Sequence, residues 1–475
     1  MLTKADAVMR DASPVGVQSV LTQGEMGRHG APGSRVVLRI LLVAVPVVLA
    51  GYALDDRGFA YLASVPGTPL FAGEMILLLG AAFVALATGY LRVAMHNSLP
   101  IALLLIFVAW GLVRTMPLIP LYGLDSIRDA ALWYYALMAV LVATLVMAVP
   151  DLPHRWARAY VPFLVVLLLW SPVSLALAAF SGPTIPLSGV PLFAHKPGNT
   201  AVAAATAIAF LWLVPTHSLN RRARAILTGL ATVVILGVGT QNRGGMVAAV
   251  AAVLLTGVLM VRGRRKMAGV MLGTVLLGFV LAWGLNVHVQ GAQGRDYSVA
   301  QLVENAASIT QGQNSADLGG TVAFRDQLWS GVLNLASEQG VLATGLGFGP
   351  NLAQELGVSV GVTDPLRSPH NSHIDILARM GIVGGILWVA FWGSWYVLMF
   401  RRSRDGSGFL SPESRGLVKV CMVGVAAILI NAYFDPTLES PQVAIWLWTL
   451  AGLGLGIATR SLAPSKNTTG VGKHS

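Results

Sequence analysis

The chain has 475 residues, 55% of them hydrophobic and only 11% charged, with a mean hydropathy of +0.69. Those proportions exclude an ordinary soluble domain, which needs more polar surface to stay solvated. The net charge of +11 sits in small basic clusters between apolar runs, not on one polar face, which argues against nucleic acid as a partner and for a membrane topology signal.

Residues 1–35 are polar and without helical period, and are expected to form a flexible cytoplasmic tail; the first apolar run begins too late for a cleaved signal peptide. From there, apolar stretches of roughly 18 residues or more recur, each long enough to cross a bilayer as a helix. They are too long and too evenly apolar to be barrel strands. They predict spans near 36–54, 70–91, 99–116, 131–149, 159–180, 199–214, 225–240, 244–261 and 267–285, then 373–400, 416–434 and 441–459. The expected fold is all-α, a polytopic helical membrane protein of about 12 transmembrane helices. Helices 1–9 lie within 36–285 and helices 10–12 within 373–460. The large loop over 286–372 contains short helices, and 461–475 is a second cytoplasmic tail. Cys421, the single cysteine, lies in an apolar run, forms no disulfide within the chain and reads as a small hydrophobe.

Lys and Arg set the orientation. With the N-terminus inside, the outside holds Arg57, Arg114, Arg128, Lys196, Arg243, Arg295, Arg325, Arg367 and Arg379. The rest of the 32 basic residues, including Arg155, Arg221, Arg262, Arg401 and Arg460, fall inside. This positive-inside bias predicts both termini in the cytoplasm and the 286–372 loop outside. Within that loop, 297–309 and 321–337 read as helices. In the second, Phe324, Leu328, Val332 and Leu335 form one apolar stripe. A Gly/Asn/Ser-rich stretch from Gly312 to Gly320 is expected to separate the two helices. The turn-rich Gly345-Leu346-Gly347-Phe348-Gly349-Pro350 follows them.

In this topology three spans begin outside with polar clusters. These are His195-Lys196-Pro197-Gly198-Asn199, Gln241-Asn242-Arg243-Gly244-Gly245 and Ser368-Pro369-His370-Asn371-Ser372-His373. Brought together, they would offer amide donors and positive helix ends to a phosphate or diphosphate. Arg243 stands on the side that generally lacks basic residues. It reads either as an anion ligand or as an arginine snorkelling to lipid phosphates. Arg325, one turn before Trp329, is either a second diphosphate ligand or a guanidinium packed over the ring. His370 suits a general base that activates a hydroxyl, or a helix-capping residue. His373 is its rival, and together they form an H-x-x-H pair with no third metal ligand at a persuasive spacing, so no metal is expected. Asp375 and Arg379 are four apart and expected to pair. Glu74, just inside its span, needs a partner that the sequence does not name. Asp435, Glu439 and Asp129 are weaker outside charges, fitted to sugar hydroxyls or to solvent.

These residues resemble the O-antigen ligase and O-antigen polymerase superfamily of bacterial envelope glycosyltransferases. The parts occur in family order over roughly 186–400: Pro197-Gly198-Asn199 opening a span, an S-R-G-like hairpin at Asn242-Arg243-Gly244, and an R-x-x-x-W helix at Arg325–Trp329. A G-x-G segment and H-N-x-x-I-x-x-L-x-x-x-G-x-x-G from His370 to Gly384 follow. The resemblance implies a cofactor-free, metal-independent transferase in the bacterial cytoplasmic membrane. A glycan on a polyprenyl-diphosphate carrier would pass, at the outer face, to an acceptor hydroxyl on another glycan or lipid. Arg243 and Arg325 would hold the diphosphate and His370 would activate the acceptor, with Lys196, Asn199, Asn371, His373 and Arg379 as secondary site residues. Two departures stand out: Asn242 replaces the usual serine, and Arg379 stands where many members have glutamate. The alternative is a transporter or flippase of lipid-linked sugars, which would carry its polar groups near the bilayer midplane on broken helices. A non-catalytic scaffold is the third reading.

Overall fold

The computed structural model describes residues 32–66, 68, 70–89, 98–178, 183–193, 195–215, 219–260, 269, 273, 288–290, 296–298, 316–358, 367–404, 406 and 409–460. Among these the helices are α1 (Pro32–Leu62), α2 (Ala72–Leu86), α3 (Leu99–Thr115), α4 (Leu137–Ala148), α5 (Leu152–Ala178), α6 (Pro197–Leu213), α7 (Arg221–Gln241) and α8 (Arg243–Leu259). After the large loop come α10 (Ser372–Arg404), α11 (Pro412–Phe434) and α12 (Pro441–Arg460). The loop itself carries α9 (Ala316–Glu338). Several helix starts are written in the local sequence. Asn220 and Asn242 cap α7 and α8 by accepting from Ala223 N and Gly245 N, and Ser411 caps α11 by accepting from Ser414 N. Proline occupies the first turn of α3, α6 and α11, where its missing N–H costs nothing.

Seven described helices are long and apolar enough to cross a membrane: α1, α3 (continued to Tyr122), α5, α7, α10, α11 and α12. The predicted span over 131–149 is a bent pair, Leu124–Tyr134 and Leu137–Ala148, turned by 46°. The spans predicted near 70–91, 199–214 and 244–261 are the shorter apolar helices α2, α6 and α8. The span predicted at 267–285 lies almost wholly outside the described residues. The chain is thus an all-α membrane protein, with one small exception. His288–Gln290 and Asp296–Ser298 pair as antiparallel strands β1 and β2, so the helix expected over 297–309 starts instead in a strand, and its remainder lies outside the described residues. The loop helix α9 also begins four residues before Gly320, inside the stretch expected to lack structure.

α6 is the central helix. Its small Ala, Thr and Gly residues let α7, α8 and α11 approach closely, and nearly all its side chains are buried. α12 runs along α4 and against α11 and α1, while α3 lies along α10. Aliphatic side chains such as Val43, Leu78, Leu169, Val250, Leu254 and Val389 remain exposed on the outer faces, as suits a surface that meets lipid. Glu74 finds its partners at last: it accepts from Phe71 N (3.1 Å), the Tyr134 hydroxyl (3.3 Å) and the Tyr135 hydroxyl.

α10 is two helices joined at Gly381, whose φ of 67° and ψ of −171° break the ladder. The freed backbone groups are not lost. Leu346 N and Gly347 N donate to Ala378 O and Arg379 O, while Ile382 N and Val383 N donate to Leu342 O and Ala343 O. A Cβ at 381 would stand 2.3 Å from Ala343 O, so this crossing of the Gly-rich segment over the broken helix requires glycine.

Candidate active site

Three helix starts and one helix end meet at one end of the bundle. The first turns of α6 and α8 touch so closely that a Cβ at Gly245 would stand 2.6 Å from the Gly198 Cα. The end of α11 lies over both, with Phe434 against Gly244 and Asn431 against Gly198. The start of α10 joins them through Ser372, which donates to Asp435 O (3.4 Å) and accepts from Leu438 N (3.3 Å). The positive ends of α6, α8 and α10 therefore share one patch of surface.

The side chains there are tied to one another. Lys196 pairs with Asp435 through Nζ at 3.4 Å, while its backbone N donates to Asp56 Oδ2 at 3.0 Å. Asn199 donates to the same carboxylate oxygen (2.8 Å) and accepts from Asn431 Nδ2 (3.4 Å). Asp56 is almost fully buried and sits at a positive φ of 42° near the end of α1, a conformation these hydrogen bonds hold in place. Arg243 is the first residue of α8 and half-buried. The Asn242 side chain accepts from Gly245 N at 2.7 Å, the bond that a serine would make there, so the departure at 242 preserves the cap.

His370 also holds a left-handed backbone, φ 53°, rare for a side chain of this size. Asn371 supports it by accepting from His373 N (3.0 Å) and Ile374 N (3.2 Å) to cap α10. Trp329 on α9 donates to Pro369 O (2.8 Å) and packs its ring edge against Tyr433, which fixes the loop helix over the site and brings Arg325 with it. Burial pushes the His370 imidazole below its ordinary range. Asp435 opposes this, and Arg325 and Lys196 reinforce it. The ring is therefore neutral near pH 7 and able to accept a proton. Burial likewise lowers the Arg325 guanidinium, against the pull of Asp435. Asp435 thus pairs with Lys196, and its charge also acts on Arg325 and His370.

Two expected secondary residues are turned to other work. His373 accepts at Nδ1 from the Trp388 indole N–H (3.2 Å), which can only donate, so its Nε2 carries the proton to Leu429 O (2.9 Å). Both ring nitrogens are engaged inside the bundle, and the H-x-x-H pair does not present two free nitrogens. Arg379 is 1% exposed and pairs with Asp375 (3.0 Å) and Asp129 (3.1 Å). Lys196 stands close enough for its charge to act on His370, and Asn199 shares the Asp56 carboxylate with the Lys196 turn. Asp56 escaped the sequence reading because nothing local marks an acid near the end of a span as a ligand for a turn far along the chain.

Residues 228–389 match the model of the family described as O-antigen ligase. The matched range contains Arg243, Arg325 and His370 but neither Lys196 nor Asp435. No curated protein matches the chain. Over that stretch, this helical membrane protein is similar to the O-antigen ligase family.

Proposed function

We propose that the protein transfers a glycan from a polyprenyl-diphosphate carrier to an acceptor hydroxyl at the outer face of the bacterial cytoplasmic membrane, with both termini inside and the 286–372 loop over the site. The observation that carries this reading is the meeting of a neutral, half-buried His370 with Arg325, Lys196 and three helix N-termini, one of which begins with Arg243. His370 takes the proton of the acceptor hydroxyl as its oxygen bonds to the anomeric carbon. The bond from that carbon to the diphosphate oxygen breaks, and its electron pair leaves with the polyprenyl diphosphate. Negative charge grows on the departing diphosphate, where guanidinium groups and free helix amides stabilise it. The protein's own groups supply both the base and the charge stabilisation, so the step is read as metal-independent. The polar groups gather at helix ends and not halfway along broken helices, which favours transfer over transport.

The test is complementation of a deletion strain with His370→Ala, Arg243→Ala and Arg325→Ala, each verified for membrane expression. Loss of surface polysaccharide with accumulation of the lipid-linked donor is expected for all three. Normal product from all three would remove the site.

A further inference from the structure

Asp56 and Asn199, which anchor the Lys196 turn, also line a small cavity of about 50 Å³ with His195, Thr200, Gln442 and Tyr52. Four polar atoms of the lining residues have no hydrogen-bond partner among the described residues: Asp56 Oδ1, both ring nitrogens of His195 and Thr200 Oγ1. Asp56 and Thr200 are 2% and 3% exposed. Native interiors rarely leave so many polar atoms unpaired, and their grouping marks a place prepared for a polar guest.

The cavity does not end there. Tyr160, Thr206, Trp446 and Leu450 line both it and a groove of about 740 Å³ among α1, α5, α6, α11 and α12. The groove is walled by side chains such as Val47, Phe163, Phe210 and Leu453, is open along one side, and reaches Arg39 and Arg155 at the other end of the bundle. From Arg39 to Asp56 along α1 is roughly 25 Å at about 1.5 Å per residue. That is most of the roughly 30 Å hydrocarbon thickness, so the occupant's chain is longer than one leaflet of a phospholipid.

We propose that cavity and groove form one site for a long-chain lipid with an uncharged, hydroxyl-bearing head, separate from the cationic patch around Arg325. The head chemistry follows from the unpaired atoms. A carboxylate oxygen accepts, an imidazole offers one donor and one acceptor, and a threonine hydroxyl does both, which suits a hydroxyl. A phosphate would face the Asp56 carboxylate, while the Lys196 ammonium is engaged by Asp435. The inference rests on the glycosyl-transfer reading only in leaving the diphosphate to the cationic patch.

The experiment is equilibrium binding of a radiolabelled long-chain polyprenol to the purified full-length protein, with polyprenyl phosphate and phosphatidylglycerol as competitors. Two variants accompany it: Thr200→Val, which removes one hydroxyl at constant shape, and Leu450→Trp, which fills the neck between cavity and groove. Saturable polyprenol binding is expected, resisting both anionic competitors. It should weaken by roughly fivefold in Thr200→Val, the loss of one hydrogen bond, and more in Leu450→Trp. Equal competition by either anionic lipid, or unchanged binding in both variants, overturns the proposal. Polyprenol binding by a protein whose His370→Ala variant still makes normal product would keep this site and remove the glycosyl-transfer reading. Absence of binding with loss of product in that variant would do the reverse.

Discussion

Two groups of charges lie at the same end of the bundle and have opposite characters. Around Arg379 every charge is spoken for. Arg379 pairs with Asp375 and Asp129, and Arg367 (15% exposed) pairs with Asp125 (3.1 Å) and Asp129 (3.2 Å). The two guanidinium groups also donate to Gly347 O, Gly349 O and Pro350 O, so the knot clamps the Gly-rich segment onto the broken helix α10. Burial and the neighbouring Asp375 push the Glu439 carboxyl well above its usual range, which spares the knot another negative charge. Around His370, by contrast, Lys196 pairs with Asp435, whose charge also acts on Arg325, and the histidine is held in a strained conformation. Saturated charge serves architecture, whereas cations beside a proton acceptor suit the anionic leaving group of the proposed transfer.

Substitutions can break this comparison. His370→Ala should lower glycan transfer by about 10²–10⁴-fold with an unchanged melting temperature, measured as product formation and thermal unfolding of the purified protein. Arg379→Ala should do the opposite. Leaving buried Asp375 and Asp129 uncompensated costs about 3–5 kcal/mol, read as a lower melting temperature and poorer membrane yield. If Arg379→Ala instead kept its stability and lost only turnover, the distinction between the two groups would collapse.

Smaller effects sharpen it. Activity of the wild type should fall only as pH drops below about 6.5, the ordinary histidine value, because burial holds His370 lower. A carboxylate favours the imidazolium, so Asp435→Asn removes a raising influence and should move this acid limb to still lower pH. A shift upward in the rate–pH profile would remove Asp435 as the partner of His370. Smallest of all, Asn242→Ala should cost about 1 kcal/mol through loss of the α8 cap, whereas Asn242→Ser should restore it, both seen in the melting temperature.

The helical class, the helix starts at Pro197, Asn242 and Asn371, and the stripe of α9 were legible because each is local. Hydrophobic length, capping residues and period act over a few neighbours. The stripe shows the usual tolerance: Leu328 and Val332 are buried, and Ala336 takes the next place instead of Leu335. The pairing of Asp375 with Arg379, one helical turn apart, was legible for the same reason.

What sequence by itself determined, then, is a helical membrane protein with Arg243 and His370 at helix starts and Arg325 on a loop helix between them. Only the tertiary structure decided which of the neighbouring polar residues meet one another. His373 is drawn inward by Trp388 and Leu429, Arg379 by Asp129, and Asp56 and Asp435 become partners of Lys196 from elements far along the chain. The reason is physical. A helix sets its own hydrogen bonds within a turn, but a side chain's partner depends on which other helix is packed against it, and that follows from the fit of the whole bundle.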